Sequence, residues 1–294
     1  MHPVLFSIDG LTITSYSALL HLGLIAAAAA TLIQSRRIAL PALAAIDAML
    51  AAIAGGAIGA RLLYVAIHWA YFVDHLDEAW RIWQGGLSWH GGLIGGAIGV
   101  WLIARTRFSQ SPAAWLDLLA PGAALGTAFG WIGCFLSACA FGREVFPGEP
   151  LFGIAIDAPD VYGRLAPRLP SQLFGAGWGL LVFAVLWSLS GSPTARTRLG
   201  LPLPDKRRET PARTRALSLP KGMRFALFVA LYSAGSLLIG FSRADATAWI
   251  GGLSVEQVMD AMLLVVGAGG LLILSSRKRR ARDLFHNTGE NHVD

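Results

Sequence analysis

Several ionisable and aromatic side chains lie inside, or at the ends of, long apolar stretches of this 294-residue chain. An ionisable group is costly to insert into lipid, so each one is a candidate for function. Six of them lie near the same end of their stretches: Tyr16, Arg61, Tyr64, His90, Arg143 and Arg243. Histidine can move a proton at neutral pH, and guanidinium groups bind phosphate through paired hydrogen bonds. The set suits a site for a phospholipid headgroup or another anion.

Simpler roles are open for the same residues. Tyr16 and Tyr64 could be interfacial aromatics, and His90 beside Trp89 could anchor its helix at the membrane surface. Arg61 could pair with a carboxylate to hold two helices together. Three carboxylates near span ends have expected structural roles: capping or packing for Asp47 and Asp117, and solvation or pairing for Asp260.

The elements that carry these residues are predicted to be membrane-spanning helices. The chain is 54% hydrophobic and only 14% charged, whereas soluble domains carry about 25% charged residues. Stretches long enough to cross a bilayer predict an all-α polytopic membrane protein with about seven transmembrane helices. The spans are expected near 16–34, 42–68, 91–104, 113–139, 170–190, 223–241 and 255–275. The third is short, so it either extends outward or begins as a re-entrant segment.

The basic residues predict the orientation. One set of alternate gaps between spans holds 18 Lys and Arg residues and the other holds 5. Positive residues mark the cytoplasmic side, so the N-terminus is expected outside the cytoplasm and the C-terminus inside. We expect one membrane domain over 1–275, with a basic cytoplasmic loop at 192–222 and a basic cytoplasmic tail at 276–294. The net charge of +6 fits this topology, and no nucleic-acid partner is predicted.

Glycine and cysteine residues bear on packing. Many of the 34 glycines recur at four-residue spacing, as in Gly55–Gly59, Gly91–Gly95–Gly99 and Gly122–Gly126–Gly130. This spacing predicts close packing around the second, third and fourth spans. Cys134 and Cys139 are the only cysteines. Because they do not share a helix face, they are expected to be small packing residues, and neither a metal site nor a cofactor is predicted.

Six strings, in order from residue 2 to about residue 275, resemble the prolipoprotein diacylglyceryl transferase family. The most specific is GGLSWHGGLIGG at 85–96, which is similar to the family's histidine-glycine-glycine signature. The others are HPVLFSIDGLTITSY at 2–16, GGAIGARLLYV at 55–65, GWIGCFLSACAFGR at 130–143, RLPSQLF at 168–174 and YSAGSLLIGFSR at 232–243.

This resemblance implies a seven-span enzyme of the bacterial inner membrane. The family transfers the diacylglyceryl group of phosphatidylglycerol to the lipobox cysteine thiol of a preprolipoprotein and releases glycerol phosphate. His90 would be the base that deprotonates the thiol or would organise that base, and Tyr16 would match the family's essential first-span tyrosine. Substrate-binding roles would fall on residues that flank them: Arg61, Tyr64, Gly91, Gly92, Arg143 and Arg243.

Four positions depart from the family's pattern. Trp131 and Ser236 stand where the family has arginines, and Gly175 and Gly240 stand where it has glutamates. Equal numbers of both charges are absent, which favours joint loss of an ion-pair network. An altered or non-catalytic lipid-binding protein of the same fold is therefore an alternative. A transporter is a further one, although no pair of broken helices with polar midplane sites is visible.

Overall fold

A computed structural model describes residues 4–8, 11–38, 40–108, 111–189, 219–245 and 248–290, with the backbone alone for 8, 11 and 281–290. The helices within these ranges are α1 (Ser15–Arg37), α2 (Ala42–Ile67), α3 (Trp69–Phe72), α4 (Trp89–Arg107), α5 (Pro112–Leu136), α6 (Ser171–Ser188), α7 (Met223–Gly240) and α8 (Val255–Glu290). Short 3₁₀ turns occur at Leu76–Glu78, Ile82–Gln84 and Phe152–Ile154. Most of the predicted loop 192–222 lies outside the described residues.

Three small antiparallel hairpins accompany the helices. They pair β1 (Val4–Ile8) with β2 (Leu11–Thr14), β3 (Ile156–Pro159) with β4 (Leu165–Arg168), and β5 (Ala248–Ile250) with β6 (Leu253–Ser254). The third hairpin leads directly into α8, and the second precedes α6. No hairpin was expected from the sequence, because each is too short to give an alternating pattern.

The predicted membrane architecture is confirmed. Six helices are long and apolar enough to cross a bilayer: α1, α2, α5, α6, α7 and α8 over Val255–Arg280. The remaining candidate, α4, is a continuous 19-residue helix rather than a re-entrant segment, and at 1.5 Å per residue it is about 28 Å long. The fourth predicted span, 113–139, is wrong at its end, because α5 stops at Leu136. The seventh continues as α8 beyond residue 275 to Glu290.

Close glycine contacts hold α2 and α4 together. A Cβ added at Gly95 would lie 2.9 Å from the Cα of Gly59 and would also meet the carbonyl of Gly55. Gly91 faces Gly59 in the same way one turn along α4. Small residues allow two backbones to approach until van der Waals contact replaces lipid contact. The predicted close packing of the second and third spans is confirmed, and α5 packs likewise against α1 through Gly122.

The central helix is α5, which packs against α1, α4, α6 and α7. At the end predicted to be cytoplasmic, its Asp117 accepts hydrogen bonds from the backbone N–H groups of Gly222 (2.7 Å) and Phe225 (2.9 Å). These are among the N–H groups that an α-helix leaves unpaired at its start. The expected capping role of Asp117 is confirmed, and it is performed on α7 rather than on its own helix.

Candidate functional site

His90 and Asp260 form a buried pair between α4 and α8. His90 is the second residue of α4, and its Nε2 lies 2.9 Å from Oδ1 of Asp260, in the second turn of α8. Only 4% of the His90 side chain and 2% of the Asp260 side chain are exposed. The two open possibilities for Asp260, solvation or pairing, are thus resolved in favour of pairing. His90 is also more deeply buried than an interfacial anchor would be.

Aromatic side chains surround this pair. The ring of Trp89 lies 5.0 Å from the ring of Tyr232, a buried residue of α7. Tyr232 in turn is close enough to interact electrostatically with Asp260 and Tyr16, and its hydroxyl lies within hydrogen-bonding reach of Trp131. The structure thereby brings the predicted site residues Tyr16 and His90 to the same end of the helix bundle.

Tyr16 lies against the end of α5. It is the second residue of α1, whose start is capped by the Thr14 hydroxyl accepting from the Ser17 N–H. A Cβ at Gly133 would lie 3.1 Å from Cδ2 of Tyr16, so glycine leaves room for the tyrosine ring. The Tyr16 side chain is partly exposed and therefore available to a molecule entering from this end.

Arg143 and Arg243 are brought together by their backbones. The Arg143 N–H donates to the Ser242 carbonyl at 2.8 Å, and Gly142 forms an antiparallel bridge with Arg243. This joins the segment after α5 to the segment after α7. The two predicted phosphate ligands thus come from adjacent strands of chain, at the end of the bundle where His90 begins α4.

Both guanidinium groups already have carboxylate partners. Arg243 binds Asp245 through two bonds of 2.9 and 3.1 Å, and Arg143 contacts Glu149 at 3.1 Å. Burial opposes the charge of Arg243, but the hydrogen bond and charge of Asp245 outweigh it, so the pKa of Arg243 is raised. Arg243 also interacts electrostatically with Asp260, which places it near the His90 pair. A lipid phosphate here would share or displace Asp245.

Arg61 is occupied by backbone carbonyls. Its Nε donates to Ala79 (2.8 Å), Nη1 to Gly85 (2.7 Å) and Gly86 (3.1 Å), and Nη2 to Glu78 (2.6 Å). These four carbonyls belong to the loop between α3 and α4, and Tyr64 packs beside Gly86 in the same loop. The carboxylate pairing considered for Arg61 is wrong. Arg61 and Tyr64 hold the loop that leads into His90.

Gly91 and Gly92 both face α2. Gly91 packs on Gly59, and a Cβ at Gly92 would lie 3.7 Å from Cβ of Ala60. The N–H of Ser88 also donates to the Ala60 carbonyl at 3.0 Å. These contacts fix the start of α4 against α2, so the histidine-glycine-glycine string positions His90 through helix packing.

Two of the four departures from the family's pattern contact other side chains directly. A Cβ at Gly175 would collide with the indole ring of Trp131, and a Cβ at Gly240 would lie 2.7 Å from Cγ of Gln257. Trp131 therefore fills the space that a larger residue at 175 would need. Ser236 is half-buried on α7.

Cys134 and Cys139 form a disulfide, so the expectation that they are packing residues is wrong. The helix ends at Leu136, and the backbone then turns back through Ala138 and Ala140, with φ of 58° and 50°. Two residues five positions apart point to different faces only in a continuous helix, and this turn brings the two sulfur atoms together. Gln172 of α6 donates to the Cys139 carbonyl at 3.0 Å, tying this turn to the next helix.

Around one end of the helical bundle, the structure places a histidine with a carboxylate partner and two arginine guanidinium groups. Sequence reasoning did not select Asp260 and Tyr232 as site residues. Asp260 carried a signal, since any ionisable residue within a span is a functional candidate. Among the described side chains, no three His, Cys, Asp or Glu residues are grouped as metal ligands would be.

Comparison with known proteins identifies the family of the chain. A family model described as prolipoprotein diacylglyceryl transferase matches residues 3–273. A phosphatidylglycerol–prolipoprotein diacylglyceryl transferase of Parasynechococcus marenigrum is 31% identical over 287 residues, covering 95% of each chain. One of Streptococcus pyogenes is 29% identical over 229 residues, covering 78% of this chain and 76% of its own. The match spans every element that contributes to the site, so the chain belongs to the prolipoprotein diacylglyceryl transferase family.

Proposed function

We propose that this chain is a multi-pass enzyme of the bacterial inner membrane that transfers the diacylglyceryl group of phosphatidylglycerol to the lipobox cysteine of preprolipoproteins. The observation that carries the proposal is the buried His90 of the intact histidine-glycine-glycine string, whose partner Asp260 interacts electrostatically with the phosphate-binding candidate Arg243. The named relatives and the family model support the same reaction.

The chemistry follows from the nucleophile. A free thiol has a pKa near 8.5, and only the thiolate attacks efficiently, so a base is needed. His90 takes the thiol proton, and the sulfur forms a C–S bond at the glyceryl methylene carbon. The C–O bond to phosphate breaks, its electron pair leaves on glycerol phosphate, and that product takes up the proton. Arg143 and Arg243 hold the phosphate, and the Tyr16 hydroxyl donates to the lipid at the partly exposed start of α1.

The remaining predicted ligands act indirectly. The Arg61 guanidinium has four carbonyl partners and little capacity left for lipid. We assign Arg61, Tyr64, Gly91 and Gly92 to positioning His90 through the loop 78–86 and the start of α4.

A lipid-binding protein without transfer is the second candidate. It is favoured by the contact between Trp131 and Gly175, which puts an indole where the family has a charged pair. Each missing charged hydrogen bond to phosphate is worth about 1.5–3 kcal/mol.

Reconstitution in phosphatidylglycerol vesicles with a lipobox peptide tests the proposal. Mass spectrometry should detect the diacylglyceryl thioether of the peptide, together with stoichiometric glycerol phosphate. His90→Gln should abolish both products, and the glutamine amide can still donate to Asp260, so the fold is kept. His21→Gln is the matched control, since the His21 ring bonds to the Ser17 carbonyl of its own helix. A thermally stable wild type that binds lipid but forms no thioether would establish the second candidate instead.

A further inference from the structure

The contact between His90 and Asp260 differs from those of the other histidines whose side chains are described. His21, His68 and His75 each approach the carbonyl four residues earlier in the chain, as expected for local contacts on a helix. His90 alone among these four contacts a carboxylate, and it does so across 170 positions of sequence. Such a contact is made by the tertiary fold and therefore calls for a specific explanation.

Both partners are fixed by independent restraints. Asp260 follows the start of α8, where the Ser254 hydroxyl accepts from the Gln257 N–H (3.2 Å) and the Gln257 side chain accepts from the Ser254 N–H (3.0 Å). This reciprocal pair is a capping box, which defines the first turn of a helix. His90 follows the loop held by Arg61 and Ser88, so both side chains project from anchored helix starts.

We propose that Asp260 is the positioning residue of the base in this transferase. A carboxylate can only accept, so Nε2 of His90 carries a hydrogen and donates it to Oδ1 of Asp260. Neutral histidine has one protonated nitrogen, which leaves Nδ1 as the atom that takes the thiol proton. Asp260 thereby fixes the tautomer and the ring orientation and stabilises the imidazolium formed when the proton arrives. The inference rests on the proposed function, in which His90 deprotonates the thiol.

Burial makes this role effective. Water reaches only 4% of the His90 side chain and 2% of the Asp260 side chain, so no solvent competes for the shared hydrogen. An electrostatic interaction is stronger in such a site than in water. If Asp260 were only a packing residue, an isosteric amide would serve equally well, because Asp and Asn have the same shape.

The test compares two nucleophiles. Asp260→Asn should lower kcat for a cysteine lipobox peptide by about 10–100-fold, as the loss of a hydrogen-bonded partner does for metal-bound histidines, with the lipid KM within about twofold of wild type. A selenocysteine peptide should lose much less, since a selenol is already ionised at neutral pH and needs no base. Asp260→Glu should recover part of the cysteine activity. Equal losses with both peptides, or no loss with cysteine, would overturn the inference.

A control and a second readout separate this inference from the proposed function. Asp117→Asn also removes a buried carboxylate, but Asp117 lies near the start of α5, whereas Tyr16 and the proposed site lie near the end of that helix. This variant should therefore lower stability and affect the cysteine and selenocysteine peptides equally. In ¹⁵N spectra of the histidine-labelled protein in nanodiscs, His90 should be protonated at Nε2, and Asp260→Asn should change that population. Protonation at Nδ1 would refute the role of Asp260 even in an inactive protein. Activity that survives His90→Gln would instead refute the base role of His90, and a wild type that forms no thioether would refute the proposed function.

Discussion

At the scale of single residues, Arg61 was predicted to bind substrate, but its guanidinium holds the loop that precedes His90. Its four donated hydrogen bonds go to the carbonyls of Glu78, Ala79, Gly85 and Gly86. The planar guanidinium fork reaches all four at once, and the three donors of a lysine ammonium cannot reproduce this geometry.

We expect Arg61→Lys to lower the free energy of unfolding by at least about 1.5–3 kcal/mol, the worth of one hydrogen bond to a charged group. The transfer rate should fall with the ordering of the 78–86 loop, and the KM for lipid should stay unchanged. Thermal unfolding in detergent measures the loss of stability, and proteolysis of the loop measures the loss of its ordering. Arg81→Lys in the same loop is the control, because Arg81 makes partly exposed ion pairs with Asp77 and Glu78, and exposed pairs are worth about 0–1 kcal/mol each. A lipid KM that rises in Arg61→Lys would show instead that Arg61 binds the lipid directly.

Trp131 and Gly175 make a second residue-scale prediction. A Cβ at 175 collides with the indole, so Gly175→Ala should cost about 1–3 kcal/mol, as for overpacking. In a Trp131→Ala background the same change should cost close to nothing, and the cycle of the four proteins gives the coupling. Gly177→Ala on the same helix is the control, since nothing lies within 4 Å of its Cβ position. Additive effects would show that the two departures from the family's pattern are unrelated.

At the scale of elements, the seam between α2 and α4 holds His90 in place. Gly95→Ala should destabilise the protein by about 1–3 kcal/mol, because the new methyl group meets the backbone of α2. Gly269→Ala on α8 should stay within about 0.5–1 kcal/mol of wild type, as its Cβ position is open. The free energies of unfolding of the two variants, measured in the same detergent, give the comparison. Equal stabilities would mean that the two helices can separate without cost.

The helices were predictable from the sequence, but some of the contacts between them were not. Long apolar stretches predicted the six helices that are long and apolar enough to cross a bilayer and the shorter α4, and glycine spacing predicted the close packing of α2 and α4. The His90–Asp260 contact joins residues 170 positions apart, and no local pattern encodes which helices meet. The carbonyls bound by Arg61 and the disulfide both depend on loop geometry, which residue periodicity does not specify.

At the scale of the whole molecule, the 18-to-5 distribution of Lys and Arg predicts that His90 and the arginine pair face away from the cytoplasm. A phosphatase that is active only in the periplasm should therefore be inactive when fused to the C-terminus. A reporter that needs the cytoplasm should be active when fused at Arg208. The reverse pattern would place the site on the cytoplasmic face, where no lipobox cysteine emerges, and would contradict the proposed reaction.

The disulfide has a consequence for how the enzyme avoids acting on itself. Cys134 follows Gly133, whose backbone lies beside Tyr16, so in the proposed site a free thiol there would lie near the bound lipid. Thiolates are the nucleophiles in this chemistry and bonded sulfurs are not. With Cys134 and Cys139 joined, the chain holds neither of its two cysteines as a thiol, and the incoming lipobox cysteine has no internal competitor. In an oxidising compartment, where such bonds persist, we therefore expect the disulfide to protect the enzyme against lipidating its own cysteines.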